Sequence, residues 1–350
     1  MPWPVSSGSS GIVGLSADDW FPPMLEHMEN TQKLVPNIWC NRSAEAVASL
    51  YEEAFGAAGF DIESVVEARY PETNLPDFQK EFAGQPVTIN VSIDGYFLTL
   101  INAGDEFRPS PGVSFMLNFD PLFFDGSADK AQAALDTLWG KLNEGGTERM
   151  TLGEYPFSTH YGWVEDKFGV NWQLMLSNPE GEPRPFLMPS MMFDGPAQDR
   201  AEEAANLYVE LFNHASELNA ETRTEPEGKP QAEVGNTFKY PEASGKAKEG
   251  SLAFGEFRIG DQWFVVMDNG SGQDHGFGGV SLLVNCADQE EIDFLWDSLS
   301  AEPEAEQCGW LKDKFGMAWQ IVPANLEELM QRPDAFAHMM QMKKLVIADF

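Results

Sequence analysis

The sequence predicts an α+β protein that contains two tandem copies of one domain, and two internal similarities support this prediction. The stretch WVEDKFGVNWQ, which begins at Trp163, returns as WLKDKFGMAWQ from Trp310, with seven of eleven positions identical. AEAVASLYEEAF from Ala44 likewise matches AEEAANLYVELF from Ala201, and both have the apolar spacing of an amphipathic helix. Similar segments in the same order indicate a duplicated domain whose loops have changed in length.

Each copy is expected to contain two modules that read strand, helix and three strands. Short apolar runs, LVPNIWC at Leu34 and FLMPSMMF at Phe186, precede the two similar helices. Further on, IDGYFLTLINAG from Ile93 corresponds to IGDQWFVVMDNG from Ile259, and in each a polar turn precedes an apolar run, as in a hairpin. The βαβββ order therefore occurs twice in each copy.

These boundaries divide the chain into five predicted segments. They are a disordered leader (1–33), domain one (34–177), a linker rich in Pro, Gly and charge (178–185), domain two (186–323) and a C-terminal helical tail (324–350). Met24 and Met28 are alternative start sites to Met1, because the strand pattern begins only after them.

The charge of the chain restricts the partners that it could bind. Asp and Glu number 56 against 22 Lys and Arg, which gives a net charge of -34. Nucleic-acid affinity depends largely on Lys and Arg that neutralise phosphates, so nucleic acids and anionic membrane surfaces are excluded as partners. The remaining partner is a small molecule, and the two copies are expected to form an intramolecular pseudo-dimer within a monomer.

The cysteine content and the absence of targeting signals favour the cytoplasm. Cys40, Cys286 and Cys308 are an odd number without a CxxC spacing, which fits buried thiols in a reducing compartment. We expect Cys286 and Cys308 to lie on strands. The chain has no run of 18 apolar residues, and its start does not have the pattern of a signal peptide.

The repeated stretch also predicts a local structure. Asp166 and Asp313 begin the sequence DKFG, in which Asp accepts backbone hydrogen bonds and Gly closes a turn between the last two strands. The Trp-Gln pairs that follow lie on a strand, so only one residue of each pair points into the domain's pocket.

These motifs resemble the PhnB-like branch of the glyoxalase or vicinal oxygen chelate (VOC) superfamily, whose members are often labelled 3-demethylubiquinone-9 3-methyltransferase. CGWLKD from Cys308, then FG at Phe315 and WQ at Trp319, is similar to the closing signature of the branch. Copy one departs from it, with Tyr161 in place of Cys308 and Phe119 in place of Cys286. The resemblance implies that each domain's sheet curves into a cup around a pocket.

Metal-dependent relatives of this superfamily hold a divalent ion on His and Glu side chains of the first, fourth, fifth and eighth strands. At the fifth strands this chain has Val113 and Val280, and at the eighth strands it has Gln173 and Gln320. Gln binds transition metals poorly beside carboxylate ligands. We therefore expect no metal and no cofactor.

The candidate pocket residues follow from the implied strand positions and from the scattered histidines. They are Trp172, Gln173, Trp319, Gln320, His160 and His275. Gln could orient a polar ligand in a mostly apolar pocket, although it could equally bond to the backbone beside a Trp of the core. His160 and His275 are included because both are expected near a cup mouth.

Three functions remain open. The preferred one is binding or metal-free turnover of a small, partly apolar molecule in a cup. The alternatives are a divalent-metal lyase or dioxygenase with displaced ligands, and a scaffold with vestigial pockets. The methyltransferase label is not supported, because no glycine-rich loop follows the first strand of a doubly wound sheet. Copy two keeps the signature better and is predicted to be the active half.

Overall fold

The computed structural model describes residues 32–73, 75, 77–178, 183–218 and 231–350. Nearly all of the predicted leader (1–31), the centre of the predicted linker (179–182) and the alternative start sites Met24 and Met28 lie outside these described residues.

The described part of copy one follows the predicted order of two βαβββ modules. Its elements are β1 (Leu34–Asn41), α1 (Ala44–Ala57), β2 (Ile62–Arg69), β3 (Pro86–Ile93), β4 (Tyr96–Ala103), β5 (Val113–Phe119), α2 (Ala128–Asn143), β6 (Thr147–Tyr155), β7 (Ser158–Glu165) and β8 (Asn171–Leu176).

The described part of copy two follows the same order until its last module. Its elements are β9 (Leu187–Phe193), α3 (Ala201–Leu218), β10 (Ala232–Lys239), β11 (Leu252–Ile259), β12 (Gln262–Asp268), β13 (Val280–Cys286), α4 (Gln289–Leu299), β14 (Trp310–Lys312) and β15 (Ala318–Pro323). Two strands follow α4 where three were expected. The segment 300–309 carries three glutamates and Pro303, and it is shorter than the β6 segment of copy one.

The strands form two mixed sheets, which confirms the predicted fold class. Sheet A has the order β14-β15-β13-β1-β4-β3-β2, and sheet B has the order β10-β11-β12-β9-β5-β8-β7-β6. In one respect the structure differs from the expectation of one cup per copy. Each sheet joins the first module of one copy to the second module of the other, through the antiparallel pairs β1–β13 and β5–β9.

The two faces of each sheet have different environments. On β1, Ile38 and Cys40 point toward the helices and belong to one large core cluster, to which both sheets contribute. Because side chains alternate along a strand, Asn37 and Trp39 lie on the opposite face. We call this second face cup A in sheet A and cup B in sheet B. Since the helix faces share a core, the two cups lie on opposite outer sides of the molecule.

The repeated DKFG turn connects the two sheets through a buried carboxylate. Asp166 accepts hydrogen bonds from the backbone N–H groups of Phe168 (2.8 Å) and Val170 (3.1 Å), which hold the turn between β7 and β8. Its other oxygen accepts from Tyr51 of α1 (3.0 Å) and from Trp172 Nε1 (3.2 Å). Burial raises the pKa of Asp166 above its usual value, and these hydrogen bonds oppose the rise.

Asp313 repeats this arrangement in copy two. It accepts from the backbone of Phe315 (2.9 Å) and Met317 (3.0 Å), and from Tyr208 (2.6 Å) and Trp319 Nε1 (2.9 Å). Burial likewise raises its pKa. Since each Tyr belongs to the module in the other sheet, both carboxylates fasten sheet A to sheet B. The repeated sequence is therefore explained by a structural clamp.

The C-terminal segment packs against sheet A. Its helices α5 (Leu326–Met330) and α6 (Ala335–Met339) are separated at Pro333, as its fixed φ and missing N–H would require. Leu329 and Met330 belong to a small cluster with Val322 of β15 and Leu283 of β13, which lie on the cup face. In the part of the chain that the structure describes, no helix has both the length and the apolar character to span a membrane.

Candidate functional site

Cup A contains a cavity of about 100 Å³ that opens to solvent. It lies where the first module of copy one meets the last module of copy two. The lining residues come from β1, β4, β13, β14 and β15 and from three loops: Asn37, Trp39, Ile101, Phe107, Phe277, Gly279, Val280, Ser281, Ala305, Trp310, Leu311, Lys312 and Ala318.

One row of side chains crosses the floor of the cavity. The strand register places Asn37 opposite Ser281, Ser281 opposite Ala318, and Ala318 opposite Lys312. Residues that are aligned across neighbouring strands point to the same face, so all four stand in cup A. The two small residues in the middle leave space between the amide at one end and the ammonium group at the other.

Asn37 is the most unusual group in this row. Its side chain is 3% exposed, and its Oδ1 accepts no hydrogen bond. A buried polar atom without a partner costs about 1–3 kcal/mol relative to a satisfied one. Asn37 lines the cavity, but its Oδ1 has almost no accessible surface, so the unpaired acceptor is sealed inside the protein.

Aromatic side chains form the upper wall of the cavity. Trp39 donates from Nε1 to the carbonyl of Gly104 (2.9 Å), which fixes its ring. Phe107 meets that ring edge-on, with centroids 5.1 Å apart, and Trp310 packs against the same cluster. These rings offer large apolar surfaces that suit a flat, apolar ligand body.

Two crossing loops deliver Phe107 and Phe277 to the rim. The loop after β4 and the loop after β12 each lead the chain from one sheet to the other, and they pass very close together. A Cβ on Gly279 would lie 2.1 Å from the carbonyl carbon of Arg108, and Gly279 has a φ of 63°. The backbone N–H of Trp39 donates to the backbone carbonyl of Gly279 (2.8 Å). Glycine is thus required at position 279 of the HGFGG sequence for this crossing.

Cup B is occupied by the protein's own side chains. Its floor holds a cluster in which Met116, Met188 and Val265 are buried, with Met175, Phe254, Trp263 and Met267 packed against them. Flexible methionines fill irregular space efficiently.

Arg184 closes one side of cup B. It donates to Glu256 Oε2 from Nε (3.2 Å) and Nη2 (3.1 Å), and its guanidinium carbon lies 3.8 Å from the ring centroid of Trp263. Both charged side chains are almost buried. Cup B therefore has an apolar filling and a paired charge at its edge.

In the row of cup B that corresponds to the cavity floor, Ser114, Asn171 and Glu165 have internal partners, whereas the buried hydroxyl of Ser190 has none. It runs Ser190, Ser114, Asn171, Glu165, in the register of the strands β9, β5, β8 and β7. Asn171 accepts from Trp163 Nε1 (3.1 Å), and Glu165 pairs with Arg149 of β6. Sheet A has Ala318 at the Asn171 position and has no counterpart of β6, so cup A stays open.

The structure separates the residues of each predicted Trp-Gln pair. Gln173 and Gln320 lie on the cup faces, whereas Trp172 and Trp319 are fully buried on the helix faces beside their clamp carboxylates. Gln320 donates to Ser281 Oγ (2.9 Å) next to the cavity.

Gln173 has a partner on each side in cup B. It donates to Ser114 Oγ (2.8 Å) and accepts from Tyr161 (2.6 Å). At the position of Tyr161, copy two has Cys308 in the turn before β14 rather than on the predicted strand. Its Sγ contacts the carbonyl of Met339.

The two candidate histidines lie outside the cavity. His160 is on the helix face of β7, where its Nε2 is 2.6 Å from Asp136 Oδ1 of α2. His275 lies in the crossing loop, and its backbone N–H donates to Asp194 Oδ2 (2.6 Å). The structure therefore brings neither ring to the row on the floor of cup A.

The donor set of cup A does not fit a glyoxalase-type metal ion. Its polar strand residues Asn37, Ser281 and Gln320 are neutral groups, and Val280 is the residue at the fifth-strand position named above. Across the described residues, no group of three or more His, Cys, Asp or Glu side chains could hold a metal. Burial raises the pKa of Cys286, as expected for an unreactive thiol.

Asn37, Trp39 and Lys312 were not among the candidates from the sequence. A weak signal existed for Asn37, which is the one side chain with an amide in an otherwise apolar run, LVPNIWC. Lys312 occupies a variable place in the repeated stretch, where copy one has Glu165. Neither signal shows that the two residues share a row, because that depends on pairing between different copies.

The paired βαβββ modules and the two mixed sheets place the chain in the glyoxalase-like class of folds. The model of the family described as 3-demethylubiquinone-9 3-methyltransferase matches residues 32–175 and again residues 186–322. These matches cover most of the chain, so the protein belongs to that family, the PhnB-like family, as a tandem two-copy member.

Solved structures show similarity over one copy or over both. The PhnB protein from Bacillus cereus is 26% identical over 42% of this chain and 100% of its own, with a TM-score of 0.34. A protein from Pseudomonas aeruginosa is 21% identical over 42% and 98%, with a TM-score of 0.33. Glyoxalase I from Zea mays is 10% identical over 84% and 95%, with a TM-score of 0.45. Curated proteins gave no match.

Proposed function

We propose that cup A binds a small, partly apolar molecule and that cup B is a filled, structural counterpart. The observation that carries this proposal is the open cavity of cup A, whose wall combines the rings of Trp39, Phe107 and Trp310 with polar side chains.

The contents of cup B support the division between the two cups. Methionines and Trp263 occupy the space, and the buried pair of Arg184 and Glu256 closes it. The scaffold function considered for both cups is therefore proposed for cup B alone. The active half is then made from both copies, which replaces the proposal that copy two acts by itself.

The neutral amides and hydroxyl of cup A suit the binding and orientation of a ligand, and they do not suit Lewis-acid chemistry on a metal. Any chemical turnover in cup A is therefore proposed to proceed without a metal. The methyltransferase description of the family is not extended to this chain. Only Arg42 and Ser43 connect β1 to α1, and this link contains no glycine for a nucleotide loop. The three free, buried cysteines support a cytoplasmic location.

Native mass spectrometry of protein purified without chelator tests the proposal. We expect a small organic adduct on the wild type. The substitution Ala318→Asn places the bulk of Asn171 at the same point of cup A and should remove the adduct. Glu165→Gln, on the corresponding row of cup B, is the control and should retain it.

Two outcomes would contradict the proposal. An adduct that survives Ala318→Asn would place the ligand outside cup A. A mass excess that matches a divalent ion would instead favour the metal-dependent lyase or dioxygenase.

A further inference from the structure

We infer that the ligand of cup A carries a carbonyl oxygen that accepts a hydrogen bond from the indole N–H of Trp310, on an uncharged body of about one aromatic ring. This inference rests on the proposed function and adds the chemical class of the ligand. The class is a small, neutral aromatic carbonyl compound.

The corresponding indole of cup B shows which group this position takes. Trp163 lies on the cup face of β7, opposite Gln173 of β8, and its Nε1 donates to Asn171 Oδ1 (3.1 Å). Asn171 is completely buried, so water does not compete for this hydrogen bond. The carbonyl oxygen of a side-chain amide therefore satisfies the indole in cup B.

In cup A the same position has lost its acceptor. Trp310 takes the register position of Trp163 on the neighbouring pair of strands. Ala318 stands where Asn171 supplies the oxygen. Among the residues that the structure describes, none accepts a hydrogen bond from Trp310 Nε1, and this atom keeps accessible surface, unlike the sealed Oδ1 of Asn37. A partly buried indole N–H usually has a partner, so the acceptor is expected from the ligand.

The cavity provides the space for that acceptor. Trp310 and Ala318 both line it, and both lie on the cup face of sheet A. The exchange of Asn for Ala removes a side-chain amide, which leaves room at this point for a ligand carbonyl. An indole N–H only donates, so the ligand group beside it must be a hydrogen-bond acceptor.

The aromatic wall and the volume of the cavity limit the ligand body. Trp39 and Phe107 meet edge-on with ring centroids 5.1 Å apart, and Trp310 packs against them. A cavity of roughly 150 Å³ holds one benzene molecule in another protein. A volume of about 100 Å³ that continues into an open mouth therefore fits about one ring.

The charges around the cavity favour a neutral ligand. Lys312 is the one charged residue of the lining, and its Nζ already lies 3.9 Å from Glu302 Oε2. An anion would also approach a chain with a net charge of -34. A carbonyl group satisfies the indole N–H and brings no charge into the cup.

Two probes that differ in one group test the carbonyl on the full chain. They are acetophenone and α-methylstyrene, in which a CH2 group replaces the carbonyl oxygen. Trp310→Phe keeps an aromatic ring and removes the N–H. Measured by NMR titration, this substitution should weaken acetophenone about fivefold and leave α-methylstyrene unchanged, because only acetophenone can accept the hydrogen bond. The comparison within each probe cancels the difference in their hydration.

The indole N–H signals report the contact directly. The chain has ten Trp residues, and the proton–nitrogen signal that disappears in Trp310→Phe belongs to Trp310. Acetophenone should move this proton signal farther downfield than α-methylstyrene does, since both probes have the same ring and only one has the acceptor. The signal of Trp163, assigned with Trp163→Phe, is the matched control in cup B, and neither probe should shift it.

Ala318→Asn gives cup A the acceptor that cup B has. It should move the Trp310 signal downfield without any probe, and it should abolish the binding of both probes. This result would show that the ligand carbonyl and the side chain of Asn171 take equivalent positions.

The outcomes separate the ligand class from the proposed function. If Trp310→Phe weakens both probes equally and Ala318→Asn still removes both, the carbonyl contact is overturned and cup A remains the binding site. Probe binding that Ala318→Asn does not affect would overturn both proposals. If α-methylstyrene binds in cup A while acetophenone shows no binding at millimolar concentration, the carbonyl class is wrong.

Discussion

The two cups are built from corresponding strands, yet one is open and the other is filled. The rows on their floors differ at three of four positions: Asn37, Ala318 and Lys312 in cup A stand where cup B has Ser190, Asn171 and Glu165. The helix faces behind them keep the same Asp clamp. Duplication has therefore preserved the device that joins the sheets, while the exposed faces have diverged.

This comparison shows that the functional unit is the cup and not the sequence copy. The row of cup A takes one residue from copy one and three from copy two. A chain with one copy could not form it without a second molecule. Two identical single-copy chains would form two identical cups. When the two copies are joined in one chain, their sequences can differ, so corresponding positions of cup A and cup B can carry different residues.

The largest expected effect concerns the charge pair that closes cup B. Arg184→Met keeps an apolar stem on Trp263 but removes the cation beside buried Glu256. We expect the free energy of unfolding to fall by about 4 kcal/mol, measured by urea denaturation, because a buried charge loses its partner.

The double substitution Arg184→Met with Glu256→Gln is the matched control, and it should recover most of that loss. Binding in cup A should be unchanged in both variants. A single substitution that costs less than about 1 kcal/mol would show that the pair behaves like an exposed one.

The clamps are expected to be equivalent where the cups are not. In Asp166→Asn and Asp313→Asn, an amide N–H2 group replaces one oxygen of the carboxylate. The Trp N–H or the backbone N–H groups that donated to that oxygen cannot accept a hydrogen bond from the amide. Each should cost about 3 kcal/mol of unfolding free energy.

Asp94→Asn is the control, because Asp94 accepts one hydrogen bond from the exposed backbone of Asp61 (2.8 Å). It should cost about 0.5 kcal/mol or less. Clearly unequal costs at Asp166 and Asp313 would contradict the idea that both fasten the sheets in the same way.

Much of the fold could be predicted from the sequence, because its signals are local. Helical spacing after Ala44 and Ala201, and the Asp and Gly of the repeated turn, specify elements that form within a few residues. The predicted third strand after α4 is absent from the described residues 300–309, where Pro303 and three glutamates oppose strand formation.

The site was harder to predict, because it depends on which strands pair across the copies. The sequence pattern of β1 is compatible with pairing to any strand of similar length, so the partnership with β13 carries no local signal. Gln320 was found because it belongs to the repeated stretch. Asn37 and Lys312 were missed because each differs between the copies.

The two glutamines should respond differently to the same change. Gln173→Leu leaves the hydroxyls of Tyr161 and Ser114 without their partner, so it should cost about 2 kcal/mol and leave ligand binding intact. Gln320→Leu leaves only Ser281 unpaired and should cost about 1 kcal/mol. It should abolish the adduct seen by native mass spectrometry. Equal effects of the two on binding would contradict the division between the cups.

The smallest expected effect is a gain in stability. Asn37→Leu removes an unpaired buried acceptor and replaces it with an apolar side chain of similar size, so the ligand-free protein should become about 1 kcal/mol more stable. Ser190→Ala removes the corresponding unpaired hydroxyl in cup B and should stabilise by a similar or smaller amount. Urea denaturation of both variants measures the two changes.

The two substitutions differ in what accompanies the gain. Asn37→Leu should lose ligand binding, whereas Ser190→Ala should keep it, because Asn37 lines the open cavity of cup A and Ser190 lies in the filled cup B. A residue that lowers stability and supports binding is under functional constraint, since a purely structural site would favour the more stable side chain. If Asn37→Leu instead destabilises the free protein, the amide has a structural partner, and its role in cup A is packing.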